Sequence, residues 1–93
     1  ALPILGVDVE VVRSAQEKFM RRVCSQQEMA CIRPGDDGDC RRFWEIWTAK
    51  EALFKLTGKG PLLKLSRFAL PERVALDYME KNGCALTVAA EIL

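Results

Sequence analysis

Alternating polar and apolar residues at the two ends of the chain predict strands. The β-branched segment "ILGVDVEVV" lies within a predicted strand over residues 2–12. Residues 67–70 and 73–79 are also predicted to be extended. The tripeptide "KNG" at 81–83 predicts a tight hairpin turn, because asparagine and glycine tolerate the left-handed backbone that such turns need, and a last strand over 84–91 should follow it.

The segment after the first strand predicts two short helices. Ser14 is placed to cap a helix that runs to about Val23. In "SQQE" at 25–28, the serine and the glutamate three residues later form a capping-box pattern. A second short helix is therefore expected to reach about Ile32. The segment "RPGDDGD", residues 33–39, has the composition of a turn.

The middle of the chain predicts one long helix over about residues 40–56. Asp39 is a candidate cap for its start, and Gly58 is a typical stop. The apolar seam predicted for it contains Phe43, Ile46, Leu53 and Leu56. The fold class that follows is α+β, with a small antiparallel sheet packed against a long helix.

Two carboxylates in the first strand are the first anomaly. Asp8 and Glu10 share one face, because side chains alternate with a period of two, and Val7, Val9 and Val11 share the other. Like charges this close repel unless solvent or a cation neutralises them. One interpretation is a half-exposed strand with a solvated acidic face, and the other is a cation site.

One face of the long helix is the second anomaly. Trp47, Glu51 and Lys55 are each four residues apart and line one side of that helix. The simplest interpretation is an ordinary surface pair between Glu51 and Lys55. The functional interpretation places this face of the helix next to the acidic strand, so that both contribute to one site.

Composition limits the kinds of function. The chain of 93 residues is long enough for a single domain, which we place at 1–93. With 14 basic and 13 acidic residues, it lacks the excess of positive charge expected of a nucleic-acid-binding surface. No segment approaches the roughly 18 to 20 apolar residues of a membrane span, and no secretory signal is visible. We therefore expect a cytoplasmic protein without a nucleic-acid or membrane partner.

The chemistry available to the chain is limited by its lack of histidine. Four cysteines show no Cys-x-x-Cys spacing and are expected to be reduced thiols. The usual zinc sets and histidine-activated nucleophiles are therefore excluded within this chain. A bound metal would be a hard cation such as Mg²⁺, held by oxygen atoms.

Acidic and basic residues together suggest phosphoryl transfer. Asp8, Glu10 and Glu51 provide enough carboxylates for one Mg²⁺. Phosphoryl transfer relies mainly on positioning and on charge stabilisation, which cationic side chains and close-approaching backbone supply. The residues suited to neutralising a pyrophosphate are Lys50, Lys55, Lys59, Gly58 and Gly60.

The motifs "GVDVE" and "WTAKEALFK" together resemble the signature of the 4′-phosphopantetheinyl transferase superfamily. The matching residues are Gly6, Val7, Asp8, Trp47, Thr48, Lys50, Glu51, Ala52 and Lys55. The segment "RRVCSQQEM" is also similar to a family segment and places Glu28 at a position that is often functional. The resemblance implies transfer of the phosphopantetheine arm of coenzyme A to a serine of an acyl or peptidyl carrier protein, in fatty-acid, polyketide or nonribosomal-peptide biosynthesis.

The resemblance also indicates a branch of the superfamily. Asp-Val-Glu and Trp47 look like the C-terminal half of the larger, surfactin-synthetase-activating type, whose active site lies between two similar halves. The small holo-acyl-carrier-protein synthases are instead homotrimers. The resemblance leaves open a fragment lacking an N-terminal half, a short homologue, or a homo-oligomer. A half-domain that binds coenzyme A, metal or carrier without catalysing alone is the alternative function.

The resemblance implies roles for individual residues. Asp8, Glu10 and Glu51 would be the metal ligands. The catalytic residues would be Glu51, Lys55 and Asp8, with Glu51, a metal-bound water or another group as the base. The cofactor-binding residues would be Lys50, Lys55, Lys59 and Gly60, and bracing of Glu51 is the alternative role for Lys50. Trp47 would line the cleft or contact the pantetheine arm, and Met20, Val23 and Met29 would present an apolar patch to the carrier.

Overall fold

The computed structural model describes residues 4–33, 37–58 and 61–92, without the side chains of 37–39 and 63. Within these ranges, three strands form one antiparallel sheet in the order β1–β3–β2, and the long helix α3 packs on one of its faces. This confirms the predicted α+β class. The elements in chain order are β1 (Leu5–Val11), α1 (Glu17–Val23), α2 (Gln26–Met29), α3 (Asp37–Thr57), a 3-10 helix (Leu62–Lys64), β2 (Val74–Lys81) and β3 (Cys84–Glu91).

The hairpin between β2 and β3 confirms the turn predicted from "KNG". Lys81 pairs with Cys84, so the loop has two residues, Asn82 and Gly83. Their φ angles are 54° and 75°. Two successive left-handed residues match the right-handed twist of the flanking strands, which is why this dipeptide sets the register of the hairpin.

The two short helices follow the sequence in part. The capping box is confirmed: Ser25 Oγ accepts from the Glu28 amide at 3.1 Å, and the Ser25 amide donates to Glu28 Oε1 at 2.8 Å. The prediction that Ser14 caps the first helix is wrong, because α1 begins at Glu17 after Gln16. α2 ends at Met29 rather than near Ile32, since the amides of Cys31 and Ile32 bond to carbonyls three residues back.

The long helix is longer at its start than predicted. It begins at Asp37, so Asp39 lies inside it and the cap predicted there is wrong. Its stop is confirmed: Gly58 has a φ of 62°, and its amide donates to the Phe54 carbonyl at 2.7 Å. Left-handed backbone of this kind ends a helix and favours glycine.

The segment 67–70 is a turn, and the extended structure predicted for it is wrong. Ser66 organises this turn, because its hydroxyl accepts from the Phe68 amide at 3.1 Å and its carbonyl accepts from the Ala69 amide. Local side-chain bonds of this type compete with strand pairing. The extended segment predicted over residues 73–79 is confirmed in outline, because β2 begins at Val74 and extends to Lys81.

The apolar core lies between α3 and the sheet. The seam predicted for α3 is confirmed: Phe43, Ile46 and Leu53 are buried, and Leu56 packs against the same core from a partly buried position. The central strand β3 presents small side chains to the helix, which lets the two elements approach closely. These side chains are Ala85, Thr87 and Ala89.

The other face of the sheet is open and apolar. Its exposed apolar side chains include Leu5, Val7, Val9, Val11 and Met79. The strand β1 therefore turns its valines outward and its acidic residues toward α3, and the interpretation of a solvated acidic face is wrong. Nothing in the described parts of the chain covers this open face. In those same parts, no helix combines the length and the apolar character needed to cross a bilayer.

Candidate active site

Gly6 allows α3 to lie directly on β1. A Cβ atom at this position would meet the Ala52 carbonyl oxygen at 2.1 Å and the Leu56 amide nitrogen at 2.7 Å. No side chain fits that gap, so the close approach requires glycine. Asp8 is two residues on and points to the same side, which brings it under the helix turn that carries Lys55.

Asp8 is the most buried acidic residue of the candidate site. Its side chain forms an ion pair with Lys55, whose Nζ lies 3.0 Å from Asp8 Oδ1. The same amine donates to the Val7 carbonyl at 3.0 Å. The second carboxylate oxygen, Oδ2, is buried and has no hydrogen-bond partner among the described residues. An acceptor left in this state is costly unless it binds a further group.

The three predicted metal ligands interact electrostatically. Burial raises the pKa of Asp8, the Lys55 ammonium opposes this, and Glu10 adds a smaller increase. Burial and the Asp8 charge raise the pKa of Glu51, with Lys55 opposing and Glu10 adding to it. Burial is therefore the main cause of both shifts, and repulsion from neighbouring carboxylates adds to it.

A metal site at these residues stays a prediction. In the described ranges, no three acidic or cysteine side chains stand close enough together to hold a metal ion. Two observations nevertheless fit a hard cation: the donors are carboxylate oxygens, and Asp8 Oδ2 lacks a partner. A bound cation would satisfy this oxygen and relieve the repulsion between the carboxylates.

Glu10 lies beside Trp47 at the edge of the site. Trp47 Nε1 donates to Glu10 Oε1 at 3.2 Å, and an Arg13 nitrogen lies 3.6 Å from Glu10 Oε2. Arg13 in turn stacks its guanidinium 3.9 Å from the centre of the Trp44 ring, and Trp44 Nε1 donates to the Arg13 carbonyl. The partly buried Trp47 is thus a wall of the site. Sequence reasoning did not place Arg13 here, because no spacing rule links it to Trp44.

Lys50 lies apart from the other predicted site residues. Its amine forms an ion pair with Glu28 at 2.8 Å, and the two side chains are 1% and 0% exposed. The prediction that Lys50 binds cofactor phosphate therefore gains no support from its surroundings. Lys59 and Gly60, the other predicted phosphate contacts, lie outside the described residues. Sequence reasoning noted Glu28 but not its pairing with a lysine 22 positions later.

The predicted carrier-binding patch is not formed. Met20 and Val23 are buried in the core, and Met29 is partly buried against it. These side chains are therefore part of the packing that joins α1 and α2 to α3. The prediction that they present an apolar surface is wrong.

The raised pKa of Glu51 leads to a prediction about stability. A carboxyl group whose pKa is higher in the folded state stabilises the fold below its unfolded pKa, and this is lost as the pH rises through the folded pKa. We therefore expect Glu51→Gln to raise the urea midpoint of the metal-free protein at neutral pH, with a smaller gain at acidic pH. Glu72→Gln, at an exposed glutamate, is the control. A Glu51→Gln protein less stable than wild type at neutral pH would contradict this.

Comparison with protein families gives a match over nearly the whole chain. A family model described as the 4′-phosphopantetheinyl transferase superfamily matches residues 4–87. The matched range contains the acidic strand β1 and the face of α3 that carries Glu51 and Lys55. Comparisons with curated proteins and with solved structures gave no significant match.

Proposed function

Because the chain belongs to the 4′-phosphopantetheinyl transferase superfamily, we propose that it transfers the phosphopantetheine arm of coenzyme A to a serine of an acyl or peptidyl carrier protein. Membership supports phosphopantetheine transfer in general, and the acceptor and metal are our proposal. The observation that carries it is the buried Asp8 carboxylate, which is paired with Lys55 on one oxygen and has no partner for the other within the described ranges. Such a site suits a cationic metal beside a phosphate.

Asp8, Glu10 and Glu51 are the residues that would hold Mg²⁺. When bound, the metal would supply positive charge for the pyrophosphate of coenzyme A. Without a metal, burial is the main cause of the raised pKa values of Asp8 and Glu51, and charge repulsion between the carboxylates adds to it. A bound cation would reduce the repulsion between these carboxylates, so binding of a cation is favoured.

Lys55 and Glu51 have complementary roles in the proposed transfer. The serine oxygen bonds to the phosphorus atom of the arm, the bond from that phosphorus to 3′,5′-ADP breaks, and the serine proton leaves. Lys55 is about half exposed, so its ammonium can offset charge on the departing phosphate. Glu51 accepts the proton, directly or through a water, and its raised pKa makes it a stronger base than an ordinary glutamate.

The test is a mass measurement on the carrier. The protein is incubated with an apo-carrier protein, coenzyme A and Mg²⁺, and the carrier is then weighed. We expect a gain of one phosphopantetheine group, lost when the carrier serine is replaced by alanine and when a chelator removes the metal. Folded protein that binds coenzyme A but adds no mass to fatty-acid, polyketide or peptide carriers would refute self-sufficient transfer.

The open face of the sheet favours a second candidate function. Val9 and Val11 are each more than half exposed there, beside Leu5 and Met79. Contiguous apolar surface of this kind marks an interaction site on a protein. In this alternative the chain is a half-domain that binds coenzyme A, metal or carrier, and catalyses only with a second half or another subunit.

Sedimentation distinguishes the two candidates. If the face binds a second copy, wild type should associate with increasing concentration, and Val9→Lys should prevent this by placing a charge on the face. Phe68→Lys is the control, because Phe68 is similarly exposed but lies in the turn after the 3-10 helix. A wild-type monomer that transfers the arm unaided would contradict the half-domain alternative.

A further inference from the structure

The ion pair between Lys50 and Glu28 is the most deeply buried charged contact among the described residues. The two groups lie 2.8 Å apart, and both rank among the largest side chains with almost no exposure. Removing two charges from water is expensive, and a well-packed apolar pair is often at least as stable. Stability alone therefore does not account for the pair.

Three segments of the chain meet at the Lys50 amine. It lies on α3, it pairs with Glu28 of α2, and it donates to the Leu65 carbonyl at 2.7 Å. Leu65 directly follows the 3-10 helix. Glu28 is itself fixed, because the oxygen that faces Lys50 also accepts the Ser25 amide in the capping box. The amine thus links α2 and the segment after the 3-10 helix to α3.

Apart from the Lys50 contacts, the segment after the 3-10 helix has a further polar anchor on α3, the partly exposed ion pair between Arg67 and Glu45. In the described residues, the backbone hydrogen bonds of α2 and of the 3-10 helix stay within each segment. Within the part of the chain that the structure describes, neither is joined to the sheet by a backbone hydrogen bond. Lys50 is also the residue directly before Glu51 in α3. A change in how these segments pack against the helix would therefore alter the structure next to the candidate site.

We propose that Lys50 is a positioning residue for the transfer reaction and not a ligand of the cofactor phosphates. Its ammonium holds α2 and the segment around Leu65 on the helix that carries Glu51 and Lys55. The kinetic part of this proposal rests on the proposed function, whereas the anchoring rests on the contacts alone.

Three variants test the proposal: Glu28→Gln, Lys50→Met and the double variant. Glutamine preserves the capping box, which accepts either residue at this position. Each single variant leaves one buried charge unpaired and should be strongly destabilised, whereas the double variant removes both charges and should recover most of the urea midpoint. The recovered double variant is therefore the protein on which positioning is measured.

Positioning and phosphate binding predict opposite effects of Glu28→Gln. If Lys50 bound phosphate, removing the competing carboxylate would leave the KM for coenzyme A unchanged or lower it. If Lys50 anchors the segments, we expect Glu28→Gln to lower kcat/KM instead, and the folded double variant to lower it at least about 10-fold, since small displacements of supporting groups lower rates strongly. Glu28→Gln should lose less than Lys50→Met, because it leaves the Lys50 bond to the Leu65 carbonyl in place.

Hydrogen exchange gives a readout that needs no activity. Methionine cannot donate to the Leu65 carbonyl, so in the double variant the amides of Ala30, Cys31 and Leu65 should exchange at least about 10-fold faster, while Leu53 in α3 stays unchanged. Wild-type exchange and wild-type kcat/KM in the double variant would overturn the proposal. Faster exchange in a chain whose wild type transfers nothing would support the anchoring and refute the proposed function.

Discussion

Asp8→Asn is expected to lower kcat/KM for phosphopantetheine transfer by about a thousandfold, as losses of charge-stabilising groups in active sites do. The substitution keeps the size of the side chain and leaves an oxygen to accept from Lys55. It removes the negative charge that would hold a cation. Because burial raises the pKa of Asp8, the neutral amide is not expected to destabilise the fold, so the loss of activity should occur in a folded protein.

The matched control for this variant is Asp77→Asn. Asp77 is an exposed aspartate of β2, opposite Val88 in the register and away from α3. Activity is measured as the rate of carrier modification at several Mg²⁺ concentrations, together with urea midpoints. Near-wild-type transfer by Asp8→Asn would show that Asp8 is not a catalytic residue. Equal losses of kcat/KM in both variants would show a nonspecific effect of charge.

Gly6→Ala is expected to destabilise the protein by about 3 kcal/mol or more, the upper range for overpacked positions. The added methyl group would overlap the Ala52 carbonyl oxygen and the Leu56 amide. Both are backbone atoms in the C-terminal part of α3 and cannot move aside as a side chain would. The helix must therefore shift from β1, which would also separate Asp8 from Lys55.

Gly83→Ala is the control variant that distinguishes steric overlap from backbone strain. Gly83 has a φ of 75°, but a Cβ atom added there would have no neighbour within 4 Å. Alanine at this position should therefore cost only about 1 kcal/mol, the usual penalty of a left-handed alanine. Urea unfolding followed by circular dichroism measures both variants. Equal losses of stability in the two variants would show that α3 can move away from β1 at a lower cost than the short distances indicate.

The sequence predicted local features well and long-range pairings poorly. The turn at Asn82 and Gly83, the capping box of Ser25 and the stop at Gly58 each depend on backbone preferences of a few neighbouring residues. Ser14 was misassigned because a capping residue is a statistical preference that packing overrides. The turn at Ser66 depends on a hydroxyl bond that hydrophobic patterning does not register.

The candidate site shows the same division. The alternation of side chains along β1 placed Asp8 and Glu10 on one face of the strand, but it contained no information on which face α3 covers. The simplest interpretation left the acidic face exposed to solvent, and this was wrong. The pairing of Lys50 with Glu28 joins positions 22 apart, so only the fold reveals it. The interpretation that joined the acidic strand to this face of α3 came from the residue types and was strengthened by the family resemblance, but neither predicted the contact between Asp8 and Lys55.

The order of strands in the sheet has a consequence for how the protein reaches its folded state. Among the described residues, β3 is the only strand that pairs with β1, and the register joins Asp8 to Thr87. The acidic strand therefore pairs with a segment nearly eighty positions later in the chain. Pairings between such distant segments require closure of a long loop and slow folding. A nascent chain that lacks residues 84–91 would hold Asp8 and Glu10 in a strand without a neighbour, so the candidate site is among the last parts of the molecule to form.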